Sequence, residues 1–311
     1  MSIIKKMKNQ PWFWLIFGQE TSLRFHIAGE IYTLVRFPWQ TIKKLSRKLT
    51  GRSAHVRIGK SIMEVPDDMF WAFVDGDYYE KNVSHWLTKI LLCSKNKVLY
   101  DIGANYGYYC LKLAGSASHI YAFEPISQTN TILLKNILRN NLNNISVYKL
   151  GLSDTKRSME MNVYSSSGNN SLFSGTLPKY SSVRLIGREV IDLVTLDSLF
   201  QDERLSPPDL IKIDIEGGEL DALKGAREII KKYQPALLLE YSEPLLKAAG
   251  YSQNELLTEL KRYNYIIYGL PEDVTDLNVY PLSQFDDLEI AHIIALPKSM
   301  EDLSVYTELR E

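Results

Sequence analysis

Residues 98–107 read VLYDIGANYG, and the fold class turns on that stretch. Val98 to Ile102 have the apolar, β-prone character of a buried strand, and a helix-length segment to about residue 115 follows the glycines at 103 and 107. Glycine permits a tight turn there and lets the backbone approach a ligand closely. The spacing is G-x-x-x-G and lacks the third glycine of the dinucleotide fingerprint. Asp101, two residues ahead of Gly103, would repel a pyrophosphate but suits a ligand carrying an ammonium group or hydroxyls.

Reading outward, the same grammar repeats. HIYAFE (119–124) precedes a helix over about 127–140, and ISVYKL (145–150) comes next. LIKIDI (210–215) precedes a helix over about 218–232, then ALLLEY (236–241) follows. Near-continuous apolar strands alternating with helices predict a doubly wound α/β domain on a mostly parallel sheet. YNYIIYGL (263–270) and IAHIIAL (290–296) have no helix-length apolar segment between them, which predicts an antiparallel pair at one edge. The connection 151–195 is long enough to hold extra strands, with SSSGNNS (165–171) as a polar loop. Upstream, EKNVSHWLTKILLC (80–93) fits an amphipathic helix and AHVRIGKSIMEV (54–65) a short hairpin turning at Gly-Lys. Residues 1–50 mix aromatic and basic side chains in helical segments interrupted by Pro38. The chain thus divides into an amino-terminal extension, 1–78, and a main domain, 79–311.

Forty-five per cent hydrophobic and 23 % charged residues suffice for a sizeable core in 311 residues. Cys93 and Cys110 form no CxxC motif, so neither a disulfide framework nor a zinc site is expected, and a reducing, cytoplasmic compartment follows. Residues 1–60 carry a net charge of +10 and the remainder −11. The basic aromatic segment therefore suits peripheral contact with an anionic membrane or lipid-linked glycan, or packing on the acidic main domain as a lid or homodimer arm. The apolar run Trp12–Phe17 is too short to span a bilayer and no cleavage site follows it, which excludes secretion from the reading.

Four further features carry chemistry. Glu124 ends the second strand, where a carboxylate can accept from both ribose hydroxyls of a nucleoside, and Pro125 stops the strand there. Ser153 and Asp154 follow the third strand, near where an adenine would sit. In LIKIDIEGGE, Lys212, Asp214 and Glu216 share one strand face at the ligand-binding end; Lys212 reads as the neutraliser of a neighbouring carboxylate. Asp214 and Glu216 could together hold a metal, but no histidine joins them, and no metal is assigned. Glu240 is acidic at the same side, as a partner of Lys212 or a contact for the acceptor.

VLYDIGANYGYY, YAFEP, GLSD, LDSL and IKIDIEGGELDALKGA followed by ALLLEY together resemble the FkbM family of methyltransferases, over about residues 79–241. The resemblance implies a seven-stranded class I methyltransferase sheet, Rossmann-like with its last strand antiparallel, and S-adenosylmethionine as cofactor. It places Asp101, Gly103, Ala104, Asn105 and Gly107 around the methionine part, Glu124 and Pro125 at the ribose, and Ser153 and Asp154 at the adenine. Asp214 and Glu216 would line the transfer cleft, with Asp214 taking up an acceptor proton. Tyr79-Glu80 would close over the cofactor, and Asn169-Asn170-Ser171 would face the cleft. The implied reaction is O-methylation of a sugar, glycoconjugate or other small hydroxyl acceptor. His55, His85 and His292 are other candidate bases. The competing readings are a nitrogen or nucleic-acid acceptor, and a non-catalytic nucleoside-binding module. The acidic main domain and the absence of a base-flipping motif argue against nucleic acid.

Overall fold

A computed structural model describes residues 54–66, 73, 79–173, 183–203, 205–273 and 275–298. The helical reading of residues 1–50 lies outside them. The hairpin is present, with β1 at Ala54–Ile58 and β2 at Ser61–Val65 turning at Gly59, whose φ is 55°. Next come α1 (Lys81–Cys93), β3 (Val98–Ile102), α2 (Tyr108–Leu113), β4 (His119–Phe123), α3 (Ser127–Arg139) and β5 (Ile145–Tyr148). The long connection contains β6 (Gly151–Leu152), β7 (Arg157–Tyr164) and β8 (Leu185–Val194), then α4 (Leu196–Asp202). The chain continues through β9 (Leu210–Ile213), α5 (Glu219–Gly225), α6 (Arg227–Tyr233) and β10 (Ala236–Glu240). It finishes with α7 (Glu243–Ala248), α8 (Gln253–Arg262), β11 (Tyr265–Pro271), β12 (Tyr280–Pro281) and β13 (Ile290–Pro297).

The main sheet has the order β12-β11-β13-β10-β9-β3-β4-β5. Strands β5, β4, β3, β9 and β10 are parallel neighbours, and β13 lies antiparallel between β10 and β11. Seven of these match the expected α/β sheet; the eighth, β12, is a two-residue edge strand on β11. The chain winds from β3 outward through β5, then returns to place β9 on the other side of β3. That reversal opens a crevice at the carboxyl ends of β3 and β9, where ligands bind in such sheets.

Each sheet face is sealed by its own apolar cluster. Leu99, Leu210 and Leu238 meet α1, α2 and the hairpin on one face; Tyr100, Ile211 and Leu237 meet α5, α6 and α8 on the other. In α1 the buried residues Val83, Leu87, Ile90 and Leu91 recur at helical spacing, so one stripe packs while the opposite side stays wet. The hairpin joins this core through Val56, Ile58, Met63 and Val65. Its free edge is covered by α3. The Asn136 amide donates to Glu64 O at 3.0 Å and accepts from Glu64 N, and Asn140 does the same for Ile62 at 2.8 Å each way. Two asparagine side chains thus supply the donors and acceptors of a missing strand.

Two elements differ from expectation. The strand read over 210–215 ends at Ile213, so Glu216 (φ 58°) stands in the turn that follows and not on the strand face of Lys212. The helix read over 218–232 is two helices, broken at Ala226 (φ −108°, ψ 14°). A Cβ on Gly225 would lie 2.0 Å from the Ser153 carbonyl oxygen, so this turn is pressed against the β6 loop.

Leu87 is fully buried and Leu138 is 75 % exposed. Leu87→Ala is expected to cost about 2–5 kcal/mol by removing packed atoms and leaving a cavity. Leu138→Ala should stay within about 0.5 kcal/mol. Urea unfolding of both variants measures the contrast.

Candidate functional site

The turn after β3 begins with Gly103 at φ 82°, where a Cβ would lie 2.0 Å from the Asp214 carbonyl oxygen. Only glycine lets the β3 and β9 termini approach so closely. Gly103 N and Ala104 N both donate to Phe123 O at 3.0 Å, which fastens the turn to β4. Asn105 follows in the left-handed region (φ 50°). Its N–H donates to Glu124 Oε2 at 3.0 Å, while Ile126 N donates to Glu124 Oε1 at 3.1 Å. Glu124 is buried at the cleft wall; burial pushes its carboxyl up to about 7 despite those two donors.

At the floor of the cleft lies Lys212, buried on the central strand β9. Its Nζ is 3.1 Å from Asp214 Oδ2, 3.6 Å from Asp101 Oδ1 and 5.0 Å from the centroid of the Tyr109 ring. Burial works against the ammonium, but Asp214 and Asp101 outweigh it and keep Lys212 charged. Burial would likewise raise Asp214, yet Lys212 and then His292 hold its carboxyl below the usual range. On Glu216 the ammonium of Lys212 acts more weakly: burial, then Asp214 and Glu219, push it up to about 9.

The remaining walls come from distant segments. Glu80, itself in the left-handed region (φ 40°), reaches in ahead of α1 and accepts a hydrogen bond from the Tyr109 hydroxyl. Tyr79 packs between Phe73 and Tyr108 at centroid distances of 4.4 and 4.9 Å. From the β7–β8 connection, Ser167 Oγ donates to Asn105 Oδ1 at 2.9 Å and Ser171 Oγ to Glu216 O at 2.8 Å. The polar loop therefore bridges the two acidic turns.

Of the residues singled out in the sequence, Gly103, Ala104, Asn105, Glu124 and Pro125 line one side of the cleft. Glu80, Ser153, Asp214 and Glu216 line the rest. Asp101, Gly107 and Asp154 do not. Asp101 is fully buried below the floor, engaged by Lys212 and by the Cys110 thiol. Gly107 starts α2, with its α-carbon turned toward Leu133 of α3. Asp154 is held by Arg157 Nη1 at 2.8 Å, and Asp221 lines that end of the cleft with Ser153. Lys212 pairs with Asp101 and Asp214 rather than with Glu240. Glu219 accepts from Ile215 N and Gly217 N and ties down the turn after β9. Asp221 and Tyr109 carried no signal in the sequence, since a helical acid and a helical tyrosine are ordinary residues. His292 did not join the acidic set in sequence because nearly eighty residues separate it from Asp214, yet it lines the same cleft.

A family profile described as "Methyltransferase FkbM domain" matches residues 101–267. Methyltransferase sdnD of Sordaria araneosa is 26% identical over 191 residues, covering 50% of this chain and 74% of the relative. Hexuronic acid methyltransferase AglP of Haloferax volcanii is 24% identical over 173 residues, covering 55% and 67%. The crystal structure of methyltransferase FkbM from Methylobacillus flagellatus KT aligns at 18% identity and a TM-score of 0.40, covering 73% of this chain and 53% of that one.

The crowded carboxyls make stability depend on pH. An unfolded glutamate ionises near 4.3, whereas Glu216 in the fold holds its proton up to about 9. The folded state binds more protons in that window, so this group's contribution is full below the lower value and is lost as pH rises through the higher. Thermal unfolding of the unliganded protein should show stability falling from pH 5 to 9, and Glu216→Gln should flatten the fall. An equally steep fall in the variant would show that Glu216 is not the titrating group.

Proposed function

Because the chain belongs to the FkbM methyltransferase domain family, we propose that it moves a methyl group from S-adenosylmethionine to a hydroxyl of a sugar, glycoconjugate or other small acceptor. One observation carries the donor: the Gly103–Asn105 turn and the Glu124 carboxylate are hydrogen-bonded into a single cleft wall. When bound, S-adenosylmethionine supplies a methyl group activated by a sulfonium. Close-approaching backbone at residues 103–105 would hold its methionine part, and Glu124 would accept from the ribose hydroxyls. Ser153 and Asp221, which line the same cleft, would meet the adenine edge.

Methyl transfer is an in-line displacement, so positioning supplies much of the rate. Asp214, kept ionised by Lys212, is a weak proton acceptor and a good source of negative potential beside a sulfonium. Glu216 holds a proton tightly in the free protein. A cationic donor alongside would drive it to ionise, after which it can take the acceptor's hydroxyl proton. A sugar acceptor is supported by the name of one relative, a hexuronic acid methyltransferase, whose substrate carries both hydroxyl and carboxyl oxygens.

Among the described residues, no helix is long and apolar enough to cross a membrane. The basic residues 1–60 would serve as an arm on the acidic main domain, between copies or within one, or as a contact with an anionic bilayer. Low-salt sedimentation with anionic liposomes decides: pelleting that added salt reverses supports the bilayer, and no pelleting removes it.

Calorimetry should show S-adenosylmethionine binding and NAD not binding. Glu124→Ala should weaken the former by about 1.5–3 kcal/mol, roughly 10- to 150-fold. Affinity for S-adenosylmethionine should tighten from pH 6 to 8 more than affinity for its neutral thioether product, because the sulfonium favours ionised carboxylates. Label from the donor should appear on an oxygen of a sugar in an acceptor panel; transfer only to nitrogen would overturn the acceptor class.

A further inference from the structure

We propose that the acceptor side of this cleft binds a divalent cation between Glu80, Asp214 and His292. The sheet register assembles the site. Glu240 pairs with His292 across β10 and β13, and Ile213 pairs with Leu239 across β9 and β10, one residue short of Asp214. Asp214, Glu240 and His292 therefore stand in one row on one sheet face, at the ends of three adjacent strands. Glu80 arrives opposite them from the segment ahead of α1.

One ligand atom from each of Glu80, Asp214 and His292 lies within 4.8 Å of the other two. A second trio, Asp214, Glu216 and Glu240, meets the same condition and shares Asp214. Donors at about 2.1–2.4 Å from one ion can be no more than about 4.2–4.8 Å apart, so a single cation spans such a set. His292 is 9 % exposed and lines the same cleft. Glu240 Oε2 is buried and unpartnered. Polar atoms so placed are costly unless something binds them.

Charge points the same way. Among the described residues, Lys212 pairs with Asp101 and Asp214, while Glu80, Glu216 and Glu240 add three further carboxyls to the same cluster. S-adenosylmethionine would add a net charge of about one, its sulfonium and ammonium being partly offset by its carboxylate. Carboxylate oxygens with one imidazole nitrogen suit an octahedral ion of the Mn²⁺ or Mg²⁺ class, not a thiolate-seeking one. Positions left open by the three side chains would face an acceptor offering neighbouring oxygens; this last clause rests on the methyltransferase reading.

Mn²⁺ titrated into the full-length protein and followed by electron paramagnetic resonance tests the site without any turnover. The expected result is one saturable ion per chain, with His292→Ala and Asp214→Asn each weakening it roughly tenfold or more. Glu160→Gln, on the exposed side of β7, should leave it unchanged. His292→Gln replaces His292→Ala should the latter not fold, and calorimetry with S-adenosylhomocysteine confirms a folded cleft in each variant. Absence of Mn²⁺ binding at millimolar concentration, or binding untouched by the His292 variants, overturns the proposal. S-adenosylhomocysteine binding without Mn²⁺ binding sinks the cation alone, and Mn²⁺ binding without the nucleoside sinks the methyl-donor reading alone.

Discussion

A buried ammonium held by one buried and one half-buried carboxylate organises this molecule. Lys212 sits on the central strand β9, flanked by Asp101 on β3 and by Asp214 at the mouth of the crevice. Its burial is tolerable only because both partners are present. Removing one partner of such a buried set typically costs about 3–5 kcal/mol, since the survivor is stranded without water. The arrangement does more than balance charge. It keeps Asp214 ionised in a place where burial alone would protonate it, and so holds a fixed negative potential at the open end of the sheet.

The surrounding acids act differently because their partners differ. Glu219 is spent on two backbone N–H groups and serves the turn after β9. Glu124 is half-spent, holding the Asn105 and Ile126 amides while still lining the cleft. Among the described residues no salt bridge reaches Glu216 or Glu240, and burial with neighbouring carboxylates raises both. One rim thus contains acids that are structural, acids that are fixed in charge and acids that hold their protons. The difference comes from hydrogen-bond partners, not from residue type.

The β7–β8 connection turns an open crevice into a walled one. Ser167 and Ser171, which follow β7, bond to the turns after β3 and β9, which come from opposite sides of the switch point. A Cβ on Gly217 would lie 2.7 Å from the Leu245 carbonyl oxygen and 3.2 Å from Phe173, so the turn carrying Glu216 packs closely against both. A long insertion stabilised by two hydroxyl contacts can hold a cleft and still be remodelled between relatives without disturbing the sheet.

The α/β class, the strand spans, the hairpin and most of the acidic rim were legible in the chain because they follow from local rules. Apolar runs of strand length, helical periodicity, and a glycine turn between a strand and a helix need no knowledge of distant partners. The break at Ala226 was not legible, because it comes from the close approach of Gly225 to Ser153. Nor was the placement of Asp101 beneath the floor, or the replacement of Asp154 by Asp221 at the cleft: these depend on Lys212 and Arg157, partners the sequence does not rank. His292 joins Asp214 and Glu240 only through the insertion of β13 beside β10. The sequence by itself determined which strands exist and which of their ends are acidic, since backbone preference and hydrophobic period are short-range. Only the tertiary structure decided which acids share one cleft and in which charge state, since burial and strand order are set by the whole sheet.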